Sequence, residues 1–191
     1  MNEYAVREAL VEDANAIARI RVASWRRTYR DIVPDETLAA MDVEENAATT
    51  RRWLAQIVEG SRGPLACAFV VAGADDETCG FAHAGAARPL ESGAAPEPYE
   101  SEVYALYLTP GYERRGLGGR LLGATARRLR ASGARSLIIW ALERNPNRGF
   151  YEALGGVVAY AQTLRFGERD VAEVGFGWPD LDSLIARLGG R

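Results

Sequence analysis

The stretch LYLTPGYERRGLGGRLL, Leu106 to Leu122, decides how the rest of the chain is read. An apolar run stops at Thr109-Pro110-Gly111, and two arginines and three glycines precede a leucine-rich segment. Glycine in a helix interior costs about 1 kcal/mol relative to alanine, so glycines crowded at the head of a helix call for a reason. A strand, a tight glycine turn and a helix N-terminus together form an anion site, because the first N–H groups of a helix have no intrahelical partner. Gly116, Gly118 and Gly119 remove the side chains that would hold a ligand away, and Arg114 and Arg115 add positive charge beside them. The natural ligand for such a site is a phosphate or pyrophosphate, although the turn by itself reads equally as a tight connection with solvated arginines.

Two common phosphate fingerprints are not met. The dinucleotide pattern G-x-G-x-x-G fails at Leu121, and the P-loop pattern fails because Leu117 follows Gly116.

Working outward, Glu102 to Leu108 (EVYALYL) reads as the strongest strand and Leu117 to Ala131 as the strongest helix. In that helix Leu117, Leu121, Leu122, Thr125, Ala126 and Leu129 share one face, opposite Arg120, Arg127, Arg128 and Arg130. Toward the N-terminus, Tyr4 to Arg7 is a short strand, and Asp13 caps a helix carrying Ile17, Val22 and Trp25. A broken helical pattern runs from Asp35 to Glu59, and strands follow at Leu65 to Val71 and Cys79 to Ala84. Toward the C-terminus, Ser136 to Leu142 is a strand. Asn145-Pro146 reads as a helix start closed by Gly155-Gly156, and Val157 to Phe166 and Val171 to Trp178 are strands. The order predicts one α/β domain over residues 1–191, with a mixed sheet and a chain that ends in strands.

Composition narrows the function classes. The chain has 191 residues, 48% of them apolar, and a formal charge of −3, which gives no general pull toward nucleic acid or an anionic membrane. All 23 basic residues are arginine. Two cysteines, Cys67 and Cys79, and a single His83 argue against a zinc site, and no metal is expected. The cysteines sit in apolar segments and read as small buried hydrophobes; neither is set in a nucleophile motif, and no G-x-S-x-G is present. His83 alternates with Phe81 and Cys79, which suggests core or cleft wall. The N-terminal segment lacks the apolar stretch of a signal peptide and no run is long enough to span a bilayer, so a cytoplasmic location is expected.

Taken together, these segments resemble the GNAT superfamily of N-acetyltransferases. Glu113-Arg114-Arg115-Gly116-Leu117-Gly118 lies in the register of the family's Gln/Arg-x-x-Gly-x-Gly/Ala motif. Glu102 to Pro110 is similar to the strand before it, and Trp140 to Pro146 with Arg148 to Gly156 to the strand and helix after it. Ser24-Trp25-Arg26-x-x-Tyr29 and Glu173 to Trp178 are similar to one bacterial branch, so the resemblance spans nearly the whole chain. One position departs: Glu113 stands where Gln or Arg is usual, and a carboxylate beside a pyrophosphate is repulsive unless it faces solvent or pairs with an arginine.

The resemblance implies a single-domain fold with a mixed sheet of about six or seven strands flanked by helices, and two parallel strands splayed around acetyl-CoA. Backbone groups of Leu106, Tyr107 and Leu108 would hold the acetyl and pantetheine portions. Arg114, Arg115, Gly116, Leu117, Gly118 and Gly119 would hold the pyrophosphate. Asn145 would contact the pantetheine arm or cap its helix. Catalysis would be direct attack by an amine in a ternary complex. Glu102 is the candidate base, or a solvated carboxylate at a strand end. Tyr151 matches the family's tyrosine near the departing sulfur. A phenol is a weaker acid than a thiol, so full transfer to the thiolate is uphill by about 2 kcal/mol, and a hydrogen-bond donor is the better description. Trp25 and Tyr29, four apart on one helix face, are core packing or a wall of the acceptor pocket. The acceptor would be a small-molecule amine or a peptide or protein amine, and the protein a monomer or homodimer. The alternative is a non-catalytic acyl-CoA-binding sensor or partner protein of the same fold.

Overall fold

The computed structural model describes residues 4–189; the two ends of the expected 1–191 domain lie outside the described residues. A seven-stranded sheet runs through the molecule in the order β1-β2-β3-β4-β5-β7-β6. Its strands are β1 (Tyr4–Glu8), β2 (Cys67–Gly73), β3 (Thr78–Ala86), β4 (Ser101–Leu108), β5 (Leu137–Leu142), β6 (Val157–Phe166) and β7 (Arg169–Trp178). Every neighbouring pair is antiparallel except β4 with β5. The parallel pair is joined by α4 (Leu117–Ala131), as a parallel connection requires a crossover.

Helices cover both faces. On one face α4 packs with α6 (Leu181–Gly189) over Val71, Val103, Leu137, Ile139, Val174 and Phe176. The α4 face expected from the sequence is the buried one: Leu117, Leu121, Leu122, Thr125, Ala126 and Leu129 are all buried. On the other face α1 (Ala14–Thr28) and α3 (Val43–Val58) enclose Ile17, Ile20, Trp53, Leu54, Val70 and Phe81. The short α2 (Asp35–Ala39) closes a smaller cluster with Tyr29, Ile32, Val33, Leu142 and Val171. No described helix is long and apolar enough to cross a membrane.

Four local expectations are corrected. The chain ends in a helix, not in strands: Asp180 accepts from the Asp182 amide at 3.0 Å and starts α6, which buries Leu181 and Leu184. Asp13 precedes α1, but its carboxylate does not cap that helix. It pairs with Arg7 at 2.7 Å and accepts from the Leu10 amide, so it fastens the helix start to β1. Asn145 does not cap the helix after β5, because α5 (Arg148–Ala153) starts from Asn147. Cys79 does not share a face with Phe81: β2 pairs Val71 with Gly80 and Ala72 with Thr78, so Cys79 is an extra residue that turns to the α4 side.

Candidate active site

The parallel pair opens. β4 and β5 pair at Ser101–Leu137, Glu102–Ile138 and Val103–Ile139, and no pairing continues beyond, although β4 runs to Leu108 and β5 to Leu142. On its other side β4 pairs Val103 with Ala84 and Ala105 with His83, leaving Tyr104 as the extra residue of a bulge. A bulge bends its strand, and this one sits where β4 leaves β5. The Thr109 amide donates to Cys79 O, across β3, at 2.8 Å. Alternation along the strand then turns the N–H and C=O groups of Leu106 and Leu108 toward the gap. Ser24 of α1 donates to the Leu108 carbonyl at 2.9 Å.

Past β4 the chain turns through Gly111, Arg114 and Gly116, all at positive φ (97°, 63° and 78°), and Gly116 is the N-cap of α4. Conformation accounts for glycine at 116 but not at 118. A Cβ on Gly118 would meet only Phe150, at an ordinary 3.7 Å, so the protein's own packing leaves space at the helix head. Glu113 faces away from that space: its carboxylate accepts from the Gly111 amide at 2.7 Å and lies 3.5 Å from Arg27. Arg115 is drawn back to the Tyr4 hydroxyl at 2.8 Å and over the Tyr112 ring. Arg114 is exposed and has no ion-pair or hydrogen-bond partner among the described residues.

At the other end of the gap lies an aromatic and polar cluster. Trp25 Nε1 donates to the Tyr107 hydroxyl at 2.9 Å, and the Trp25 and Tyr29 rings meet edge to face at 4.9 Å. Asn145 Nδ2 reaches the Tyr29 hydroxyl at 3.4 Å, while its Oδ1 accepts from the Asn147 amide at 2.8 Å. Tyr151 is buried against Phe150 and Phe176. Burial first, then neighbouring tyrosines, raises the Tyr29 and Tyr151 hydroxyls far above the ordinary phenol value, so both stay protonated.

Charged groups border this cluster on the α1 side of the sheet. Glu102 is fully buried, and its carboxylate is taken up by Arg88: the Arg88 amide donates at 3.0 Å, Nε at 2.9 Å, and Nη2 also. Glu173, opposite Leu142 on β7, is also buried, but its one direct side-chain partner among the described residues is Gln162 Nε2 at 2.6 Å. Burial raises the Glu173 carboxyl above its ordinary value; Gln162 and Arg88 oppose that rise, and Glu102 and Glu91 add to it. Glu173 lies within electrostatic reach of both Tyr29 and Tyr107.

A relative in Bacillus subtilis (strain 168), described as the uncharacterized N-acetyltransferase YuaI, is 33% identical over 183 residues, covering 96% of this chain and 97% of the relative. The chain belongs to the GNAT superfamily of N-acetyltransferases. The sequence profile of the FR47-like protein family matches residues 90–166, from the loop before β4 to the end of β6. Among solved structures, an N-acetyltransferase of Staphylococcus aureus Mu50 superposes with a TM-score of 0.69 at 20% identity, covering 93% of this chain and 98% of that one. YncA of Salmonella typhimurium, solved with acetyl-CoA, gives 0.67 at 22% identity, covering 95% of each chain. PaiA N-acetyltransferase of Thermoplasma acidophilum, solved with coenzyme A, gives 0.63 at 18% identity, covering 90% of this chain and 97% of that one. The protein is thus an acyltransferase enzyme of GNAT fold.

Within this N-acetyltransferase the residues named from the sequence form two groups around one gap. Leu106, Tyr107 and Leu108 edge it on β4, and Arg114 to Gly119 close one end, although Arg115 is occupied by Tyr4 and Tyr112. Tyr29, Trp25, Asn145 and Tyr151 gather at the other end. Glu102 is near them in the sheet, with Oε1 accepting from the Arg88 side chain and Oε2 from the Arg88 amide. Sequence reasoning assigned no role to Arg88, Gln162 or Glu173. Glu173 had a signal: a lone carboxylate beside Val174, in a strand otherwise apolar as far as Trp178. Arg88 had none, since it lies in an irregular loop.

Proposed function

We propose that this enzyme transfers the acetyl group of acetyl-CoA directly to a primary amine, with donor and acceptor held together in the β4–β5 gap. The opened parallel pair carries this reading, since it leaves strand backbone groups unpaired between the α4 turn and the tyrosine cluster. Acetyl-CoA supplies the activated acyl group. The N–H groups of Leu106 and Leu108 are placed to bind its carbonyl and pantetheine amides, with Asn145 beside the arm. The pyrophosphate lies on Arg114, Gly116, Leu117, Gly118 and Gly119, where the space at Gly118 and the free Arg114 guanidinium fit it.

The chain's own side chains handle the protons. The amine nitrogen bonds to the acetyl carbon as the carbon–sulfur bond breaks. Tyr151 donates a hydrogen bond to the departing sulfur, a role that suits a buried phenol held protonated. The amine proton goes to Glu173, whose carboxylate keeps one oxygen free of protein hydrogen bonds and is biased toward accepting a proton. Glu102, expected as the base, instead fixes Arg88 at the pocket edge. Trp25 and Tyr29 form the wall facing the acceptor.

Acetyl-CoA at about 100 times its Kd is expected to stabilise the fold by about 2.7 kcal/mol. No shift with acetyl-CoA or CoA overturns the reading. A shift without thiol release across a panel of amines leaves the non-catalytic acyl-CoA-binding alternative in its place.

A further inference from the structure

Arg21 sits on the stripe of α1 that faces the sheet. It is one turn before Trp25, which bonds Tyr107, and three residues before Ser24, which bonds the Leu108 carbonyl. An arginine at such a position ordinarily has an acidic partner. Arg21 has neither an ion pair nor a hydrogen bond among the described residues, and its Nε is buried with no acceptor. Beside it is His83, whose Nε2 is likewise buried and unpartnered. The imidazole is stacked on Trp53 with centroids 4.0 Å apart and met edge-on by Tyr104 at 5.0 Å. Burial first, then Arg62, Arg21 and Arg88, push its pKa down to about 3, so it is a neutral ring with one N–H to give. Two buried polar atoms without partners, on the packed elements α1 and β3, point to a missing ligand group.

The chemistry of that group follows from the neighbours. Arg21 is a donor only, so the group that pairs with it accepts hydrogen bonds and bears negative charge; the neutral His83 ring can give a second hydrogen bond to it in its Nε2–H tautomer. Tyr107 lies within electrostatic reach of both Arg21 and Glu173, whose effects on it are opposite in sign. An acceptor lying over Tyr107 is therefore within reach of both a cation and a carboxylate. Arg88 does not compete for the anion, because Glu102 engages its side chain.

We infer that the amine acceptor is a free amino acid, its carboxylate bound by Arg21 and His83 Nε2 and its amine directed to Glu173. This rests on the transferase reading above. A peptide or protein N-terminus carries no carboxylate at that distance from its amine, and a simple alkylamine leaves Arg21 and His83 unpaired.

The test is thiol release from acetyl-CoA with each of the twenty amino acids, each matching primary amide, and the decarboxylated amines of leucine, phenylalanine and methionine. One or more amino acids are expected to react, with their amides and decarboxylated forms at least about tenfold poorer in kcat/KM, the discrimination one lost charged hydrogen bond supplies. Arg21→Gln should raise the amino-acid KM about 10- to 100-fold and leave the amide unchanged, and Arg21→Lys should restore part of the preference. Binding of the same amino acid to the CoA-bound protein, read by calorimetry, should weaken in parallel. The inference is overturned if amides or decarboxylated amines react as well as their amino acids, or if Arg21→Gln leaves that ratio intact; the transferase reading survives either result. Silence across the whole panel overturns the amino-acid inference alone; the transferase reading is tested separately by the acetyl-CoA thermal shift and by thiol release with other amines and peptides.

Discussion

Trp25 of α1 donates its indole N–H to the Tyr107 hydroxyl on β4 at 2.9 Å, within the segment of β4 that has left β5. A strand that has lost its parallel neighbour needs another element to hold it, and this bond and Ser24 to Leu108 supply that from one helix turn. Trp25→Phe keeps most of the ring but removes the donor, leaving the buried Tyr107 hydroxyl short of a partner. The expected cost is about 1–3 kcal/mol, measurable by urea denaturation. Acceptor KM should rise more than acetyl-CoA affinity falls, since the α4 turn and the Ser24 bond to Leu108 remain; equal loss of both would mean that Trp25 supports the gap as a whole.

Tyr151 is buried beneath the tyrosine cluster with its hydroxyl held protonated. Tyr151→Phe preserves the packing against Phe150 and Phe176 and removes only the donor. Turnover should fall about 10²- to 10³-fold, the usual loss when one positioned hydrogen-bond donor to developing charge is removed, with little change in acetyl-CoA affinity. Wild-type turnover would take the sulfur-side role away from this residue.

Glu173 and Glu102 separate the two carboxylates by what already binds them. The base must be ionised to accept the amine proton, and burial raises the Glu173 carboxyl, so kcat/KM should climb with pH through a value above the ordinary carboxylate range. Glu173→Gln should remove that limb and lower turnover about 10²-fold or more, with a normal acetyl-CoA thermal shift. Glu102→Gln should keep the limb and instead destabilise the fold by about 1.5–3 kcal/mol, through loss of the charged hydrogen bonds to Arg88. The reverse assignment of the two effects would restore Glu102 as the base.

Local patterns were legible in the sequence wherever one element decided them. Leu117–Ala131 is the helix its periodicity predicts, and Val157–Phe166 is the predicted strand. The glycine turn was readable because its residues are contiguous, so conformation and ligand space follow from Gly116 and Gly118 alone. What was not legible depends on register between distant segments. That Glu102 pairs with Arg88 follows from a loop crossing back over β4, and that Glu173 is buried follows from β7 inserting between β5 and β6. The terminal helix was missed for a different reason: Leu181, Leu184, Ile185 and Leu188 have helical spacing, but the segment is short and follows two strands.

Glu113 occupies the motif position where Gln or Arg is usual, and its carboxylate turns back to the Gly111 amide and Arg27. Gln keeps the acceptor for Gly111 and loses only an exposed ion pair, worth about 0–1 kcal/mol. Glu113→Gln should therefore leave stability nearly unchanged and bind CoA as well as or better than the parent, since one negative charge near the phosphate site is gone. Glu113→Ala, which leaves the turn amide without its acceptor, should weaken CoA binding. A marked loss with Gln would instead show that the carboxylate itself is needed at this turn.

His83 provides a prediction about acid stability. Its ordinary pKa is 6.5 and in the folded protein it is pushed down to about 3 by burial and by Arg62, Arg21 and Arg88. Between those values the unfolded chain binds a proton that the folded chain refuses, so stability falls as pH drops below 6.5 and stops falling near 3. From neutral pH to about pH 5 this one group should remove up to about 2 kcal/mol. Trp53 and Tyr104 close over the ring, so His83→Gln is expected to lower stability at neutral pH while flattening the slope between pH 7 and 5 by about that amount, read from urea titrations at each pH. Binding of a carboxylate-bearing acceptor adds a second sign: an anion seated on His83 favours the imidazolium, so its presence should make the acid slope of the wild type shallower. An acid slope in the parent no steeper than in His83→Gln would mean that the imidazole is not held neutral against those three arginines.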